Sequence, residues 1–180
     1  MSHSLTELLK NLGGQTLTAY SGAAFRMHNP VWAWSPLSME GAVRTGGRFN
    51  PKGSPALYLG LSVAACHAEV AGGATGAVLS PQLLCSYTVD IRGILDLRAH
   101  YHECFEPAWR IQRLQGKEPP GWQLYRALTA HPEINGLLVS SYMLPGESDL
   151  VLFRWPSGGV QLHDPDGRLS AVYGQRLEAD

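Results

Sequence analysis

A chain of 180 residues with 44% hydrophobic and only 16% charged residues favours one domain with a sizeable core, and its 20 Gly and 12 Pro call for tight turns rather than disorder. A formal net charge of −1 gives no sign of a dedicated nucleic-acid surface, though a local basic pocket is compatible with it. Three widely spaced cysteines, Cys66, Cys85 and Cys104, argue against a disulfide framework or a zinc ribbon.

Ser4-x-x-Glu7 has the form of a capping box, with Leu5, Leu8, Leu9 and Leu12 on one helical face and Gly13-Gly14 as the stop. The polar start lacks the basic and apolar regions of a signal peptide, and no apolar run approaches the ~20 residues that span a bilayer. We therefore expect a soluble protein of a reducing compartment, such as the bacterial cytoplasm. Ala23 to Met27 alternates as a strand that turns Arg26 away from Phe25 and Met27. Trp32-Ala33-Trp34 with Ser35-Pro36 reads as an aromatic loop. A glycine-rich turn, Gly46-Gly-Arg-Phe-Asn-Pro51, leads into a buried strand, Ala56 to Gly60, and then into a helix over Val63 to Ala71 capped by Ser62.

Further on, Leu83 to Ile91 and Ile94 to Leu97 read as two strands, and Pro107 to Leu114 as a helix. Pro119-Pro120-Gly121 breaks the chain before a helix over Trp122 to Ala130. Gly136 to Ser140 and Asp149 to Phe153 are strands, with weaker strands at Gln161 to His163 and Leu169 to Tyr173. There is no repeat, no domain linker and no regular βαβ alternation. The fold class expected is α+β, one domain over residues 1–180.

Arg48 on the turn, Tyr58 on the strand and Glu69 on the helix bring a guanidinium, a phenol and a carboxylate on consecutive elements. Such a set can hold a phosphorylated ribose and polarise its hydroxyls. Arg26 adds another planar fork, whose alternatives are exposure on a sheet edge, a core carboxylate or a ligand phosphate as partner. Taken singly, Tyr58 also suits a core position and Glu69 a solvated helix face. No Gly-Lys-Ser/Thr follows the turn, so it is not a P-loop. Cys66-His67-Ala68-Glu69 lacks the Pro-Cys-x-x-Cys of zinc deaminases, and His100, His102 and Glu103 lack a clear further ligand, so no metal is expected. Ser140 and Ser141 end a strand outside any Gly-x-Ser-x-Gly elbow.

Phe25-Arg26, Gly46 to Pro51, Pro55 to Leu59, Glu69, Gly136 to Ser141 and Asp149 to Phe153 together resemble the RES-domain family, named for its Arg, Glu and Ser. The resemblance runs from about Tyr20 to Phe153. Ser141 matches the family serine better than Ser140, and Met27 stands where relatives often carry an aromatic residue. The resemblance implies a fold like that of ADP-ribosyltransferases, with a mixed or antiparallel sheet core. It implies a bacterial toxin of a type II toxin–antitoxin module that consumes NAD as substrate, with no retained cofactor. It further implies a partner antitoxin with an Xre-like DNA-binding part. Expected roles are Glu69, Arg26 and Tyr58 in catalysis and Arg26, Arg48, Tyr58 and Ser141 in NAD binding. Hydrolysis, phosphorolysis with phosphate as co-substrate, protein ADP-ribosylation and an inactive antitoxin-binding module stay open at this level, as does homo-oligomerisation.

Overall fold

Two long antiparallel strands carry the architecture. β1 (Leu17–His28) and β3 (Leu83–Asp96) pair from Leu17 opposite Leu95 to His28 opposite Leu83. The computed structural model describes residues 4–32, 34–73, 81–101, 104–105 and 109–173. The two strands expected at 83–91 and 94–97 are one because Gly93 takes up a bulge. Thr18 faces Ile94 and Ala19 faces Arg92, so Gly93 is the extra residue, at φ 72°. A Cβ there would run into the Glu133 carbonyl oxygen.

Four short strands complete the sheet: β2 (Leu57–Gly60), β4 (Gly136–Ser140), β5 (Ser148–Leu152) and β6 (Val160–Leu162). The hydrogen-bonded order is β1-β2-β5-β4-β3-β6, and β1 also pairs with β3, so the first five close into a ring. β4 runs parallel to β3, and the other pairings are antiparallel. This is the mixed sheet of an α+β chain, as expected. Strand alternation divides the core in two. Leu57, Leu59, Leu150 and Leu152 face one cluster with Tyr87 and Val89. Tyr58, Leu137, Val139 and Val151 face the other, which the helices cover.

α1 (Leu5–Lys10) begins as its capping pattern predicts: Glu7 N–H donates to Ser4 Oγ at 3.2 Å. Its Leu8 lies in the helical core with Leu124 and Leu128 of α5 (Pro120–Thr129). Pro119-Pro120-Gly121 is therefore not a break ahead of α5 but its start. Pro120 occupies the first turn, where a missing N–H costs nothing. α3 (Val63–Gly73) is capped by Ser62, whose Oγ accepts from Ala65 N–H at 3.0 Å. α4 (Trp109–Leu114) falls within the helix expected at 107–114, of which Pro107 and Ala108 lie outside the described residues.

Two further elements depart from expectation. α2 (Glu40–Thr45) was not foreseen; six residues are too short to establish an apolar period. α6 (Arg168–Tyr173) replaces the weak strand expected at 169–173. The Asp164 carboxylate accepts from Leu169 N–H at 3.3 Å and Ser170 N–H at 3.0 Å, satisfying first-turn donors of a helix despite the β-forming residues. Among the described residues no helix is long and apolar enough to cross a membrane. The aromatic loop contains a short 3₁₀ turn, Pro30–Trp32, and Ala33 lies outside the described residues.

Candidate active site

The glycine-rich turn owes its shape to one buried amide. Asn50 is fully buried, and its Nδ2 donates to Ala42 O at 3.0 Å and Ser54 O at 2.8 Å. Its Oδ1 accepts from the Tyr58 hydroxyl at 2.7 Å, and that hydroxyl accepts from Phe49 N–H at 2.9 Å. Tyr58 thus fastens the turn to the sheet, and what it offers a ligand is its ring. Burial pushes its phenol well above the ordinary range, so it is a neutral donor at any working pH. Residue 47 must be glycine because a Cβ would collide with the Tyr58 hydroxyl. From the other side, Trp122 Nε1–H donates to Gly47 O at 2.8 Å.

So constrained, the turn aims Arg48 across the site. Its Nε–H donates to Phe105 O at 2.8 Å and one amino group to Ser140 O at 3.2 Å. The guanidinium lies 5.0 Å from the Phe49 ring centre and 5.7 Å from that of Tyr142. Among the described residues Arg26 has no carboxylate partner: it donates to Ser38 O at 2.8 Å and Pro36 O at 3.4 Å. Burial lowers its pKa, but a guanidinium stays charged. The Pro36 carbonyl also accepts from Tyr87 Oη–H at 2.8 Å, and Tyr87 meets His28 Nε2 at 2.9 Å. Burial, with Arg26 nearby, pushes His28 down to about 4, so it is neutral and adds no charge.

Arg26, Arg48, Tyr58 and Glu69 line a single cleft of about 540 Å³. Arg110 and Arg113 of α4 also line it, making four guanidinium groups against two carboxyls, Glu69 and Asp149. Arg113 is tied to Thr45 O at 2.8 Å, and both α4 arginines lie near the Trp109 ring, at 4.9 and 5.8 Å. Glu69 is open to solvent through the cleft, yet its carboxyl is crowded enough that partial desolvation raises its pKa. The Met143 N–H and the charges of Arg110 and Arg48 oppose that rise. Asp149 sits opposite Gly60 on one side and Val139 on the other. Burial, then the Glu69 charge, pushes it up to about 7. An excess of cations at the cleft with raised carboxyls among them suits an anionic ligand that also carries or develops positive charge.

The profile of the RES domain matches residues 23–171. The chain belongs to the RES domain family. Among solved structures, a chain of the M. tuberculosis MbcT-MbcA toxin-antitoxin complex is 27% identical, with a TM-score of 0.67, over 96% of this chain and 97% of that one. No curated protein sequence matches.

Within this RES domain, four of the five residues singled out from the sequence line the cleft, and Ser141 does not. Ser141 is buried behind it, on the strand face of Val139, with its hydroxyl near enough to Asp149 to favour the charged acid but without a well-formed hydrogen bond. Ser140 contributes its carbonyl to Arg48. Sequence reasoning overlooked Asp149, Arg110, Arg113 and Trp109 as cleft residues. Asp149 read as the polar start of a strand; its alternation with Val151 and Phe153, both buried on the helical side, was the available signal. Among the described residues no group of three or more His, Cys, Asp or Glu is placed to hold a metal ion. His102 and Glu103 lie outside the described residues.

Two stability results are expected here. Tyr58→Phe removes the partner of Phe49 N–H and Asn50 Oδ1 and should cost about 1–3 kcal/mol in urea unfolding; an unchanged midpoint would show that the hydroxyl does not fasten the turn. For Asp149, the folded protein keeps the proton up to about 7, whereas the unfolded chain releases it near the ordinary aspartate value of 3.8. The native state therefore loses stability from this group as pH rises between those values. Asp149→Asn does not titrate, so its melting temperature should gain on wild type from pH 4.5 to 7.5 and then run parallel. Parallel curves throughout would refute the raised acid.

Proposed function

We propose that this RES domain is the toxin of a toxin–antitoxin pair and cleaves the nicotinamide–ribose bond of NAD, by hydrolysis or phosphorolysis. The observation that carries the reading is the cleft itself: four guanidinium groups and two carboxyls, with an aromatic ring from Tyr58, within one cavity. The guanidinium groups suit the pyrophosphate. When the bond breaks, its electron pair leaves with nicotinamide and positive charge develops on the ribose, as in glycoside cleavage. In this reading Glu69 accepts a hydrogen bond from the ribose 2′-hydroxyl and stabilises that charge. Arg26 and Arg48 fix the pyrophosphate, so the ribose is held where Glu69 can act. Tyr58 forms a wall beside the ribose, and Ser141 lies one layer behind, next to Asp149.

No retained cofactor enters this scheme, and NAD is the substrate. The partner in this reading is an antitoxin with an Xre-like DNA-binding part, both proteins working in the bacterial cytoplasm. The similarity to a chain of the MbcT-MbcA complex supports an antitoxin partner. The test is nicotinamide release from NAD by the purified protein, with and without inorganic phosphate. Free ADP-ribose marks hydrolysis and its phosphorylated form marks phosphorolysis. Intact NAD under both conditions, with no protein labelled by radioactive NAD, would overturn the enzymatic reading.

A further inference from the structure

The cleft carries an arrangement that anion binding does not explain. A pocket meant only for phosphates gains nothing from two carboxyls, yet Glu69 and Asp149 both line it. They come from different elements, α3 and β5, and converge because Gly60, the register partner of Asp149, has no side chain between them and α3 packs over it. A Cβ at Gly60 would press on Cys66 Sγ at 2.6 Å. Neither carboxyl has an ion-pair partner among the described residues. Beside Asp149, the Ser141 hydroxyl is buried and makes no well-formed hydrogen bond among the described residues. The site thus joins a cationic set to carboxyls that feel those cations at a distance but make no ion pair among the described residues.

That pattern is complementary to a ligand with an anionic part and a separate cationic part. Taking the reading of the cleft as an NAD site, we propose that Glu69 and Asp149 are the counter-ion for the pyridinium ring of the oxidised dinucleotide, so that the cleft selects oxidised over reduced dinucleotide by charge. The reduced ring is neutral and offers these carboxyls nothing to pair with. Asp149 is the sensitive member. The groups that bear on it are Glu69 and Cys66 from α3, Arg48 from the turn, Glu147 ahead of β5 and the Ser141 hydroxyl. Burial pushes the Cys66 thiol up to about 11, so it adds no charge near neutrality. Asp149, held up to about 7, is largely protonated in the free protein at pH 6. Binding a cation beside it favours the carboxylate and expels the proton. The affinity for the oxidised form then rises with pH towards 7 and levels off above it.

The experiment is calorimetric titration with carba-NAD, whose glycosidic bond cannot be cleaved in the same way, and with its dihydro form, which differs in ring charge. Wild type should prefer the oxidised analogue, and the preference should grow by about tenfold between pH 5.5 and 8. Proton release, read from buffers of different ionisation enthalpy, should accompany only the oxidised ligand. Asp149→Asn should show a smaller preference that does not change with pH, and Glu69→Gln a smaller one at every pH. Equal binding of the two analogues by wild type, or a pH-dependent preference that survives in Asp149→Asn, would overturn the charge selection while leaving an NAD site intact. If neither analogue binds, the NAD reading itself fails and this inference falls with it.

Discussion

Glu69→Gln should lower the rate of nicotinamide release by about 10²–10³-fold with little change in melting temperature. The carboxylate is the cleft group best placed to offset positive charge on a ribose, and glutamine keeps its size while deleting its charge. Folding should be indifferent, because Glu69 is solvent-open and makes no ion pair among the described residues. Partial desolvation already disfavours its charged form, so removing that charge does not strip the fold of a needed interaction. The loss should appear mainly in kcat, since the ribose charge being stabilised exists chiefly in the transition state, with a smaller rise in KM from the lost contact to the pyridinium ring. Turnover at the wild-type rate would remove Glu69 from the mechanism. A parallel collapse of the melting temperature would show that its role is structural.

Arg48→Lys should raise KM for NAD by about tenfold and lower stability by about 1–3 kcal/mol, the value of charged hydrogen bonds lost or left unmade. Lysine keeps the charge but not the fork. One ammonium cannot reach the carbonyls of Phe105 and Ser140, on different segments, and still present a flat edge to a pyrophosphate. Arg48→Ala should be worse on both counts. The stacking on Phe49 and Tyr142 is lost as well, which leaves the turn more dependent on Asn50, Tyr58 and Trp122. Kinetics and urea unfolding on the same preparations separate the two contributions. If Arg48→Lys matches wild type in both, the fork geometry contributes nothing and a point charge suffices.

The turn, strand and helix carrying Arg48, Tyr58 and Glu69 were legible in the sequence because their signals are local. Glycines mark a tight turn, a short apolar run marks β2, and Ser62 caps α3. The resemblance to the RES family was most specific over the same block, with Phe25-Arg26, Gly136 to Ser141 and Asp149 to Phe153 added from elsewhere in the chain. Gly93 is the opposite case: it falls in the gap between two expected strands and is a bulge within one, fixed by the register with the partner strand β1. Asp164 likewise turned a β-forming stretch into α6 through its own carboxylate.

Residue chemistry was therefore determined by the sequence alone: an α+β chain bearing two forks, a phenol and a carboxylate in a pattern resembling that of RES domains. Which of those groups share a cleft was decided by tertiary structure. Ring closure of β1-β2-β5-β4-β3 places Asp149 next to Gly60, and α4 brings Arg110 and Arg113 across from the turn. Charge on a carboxyl depends on what surrounds it. Asp149 reads as an ordinary strand-end acid in sequence, and only the low-dielectric wall of the cleft and the neighbouring Glu69 raise it towards neutrality.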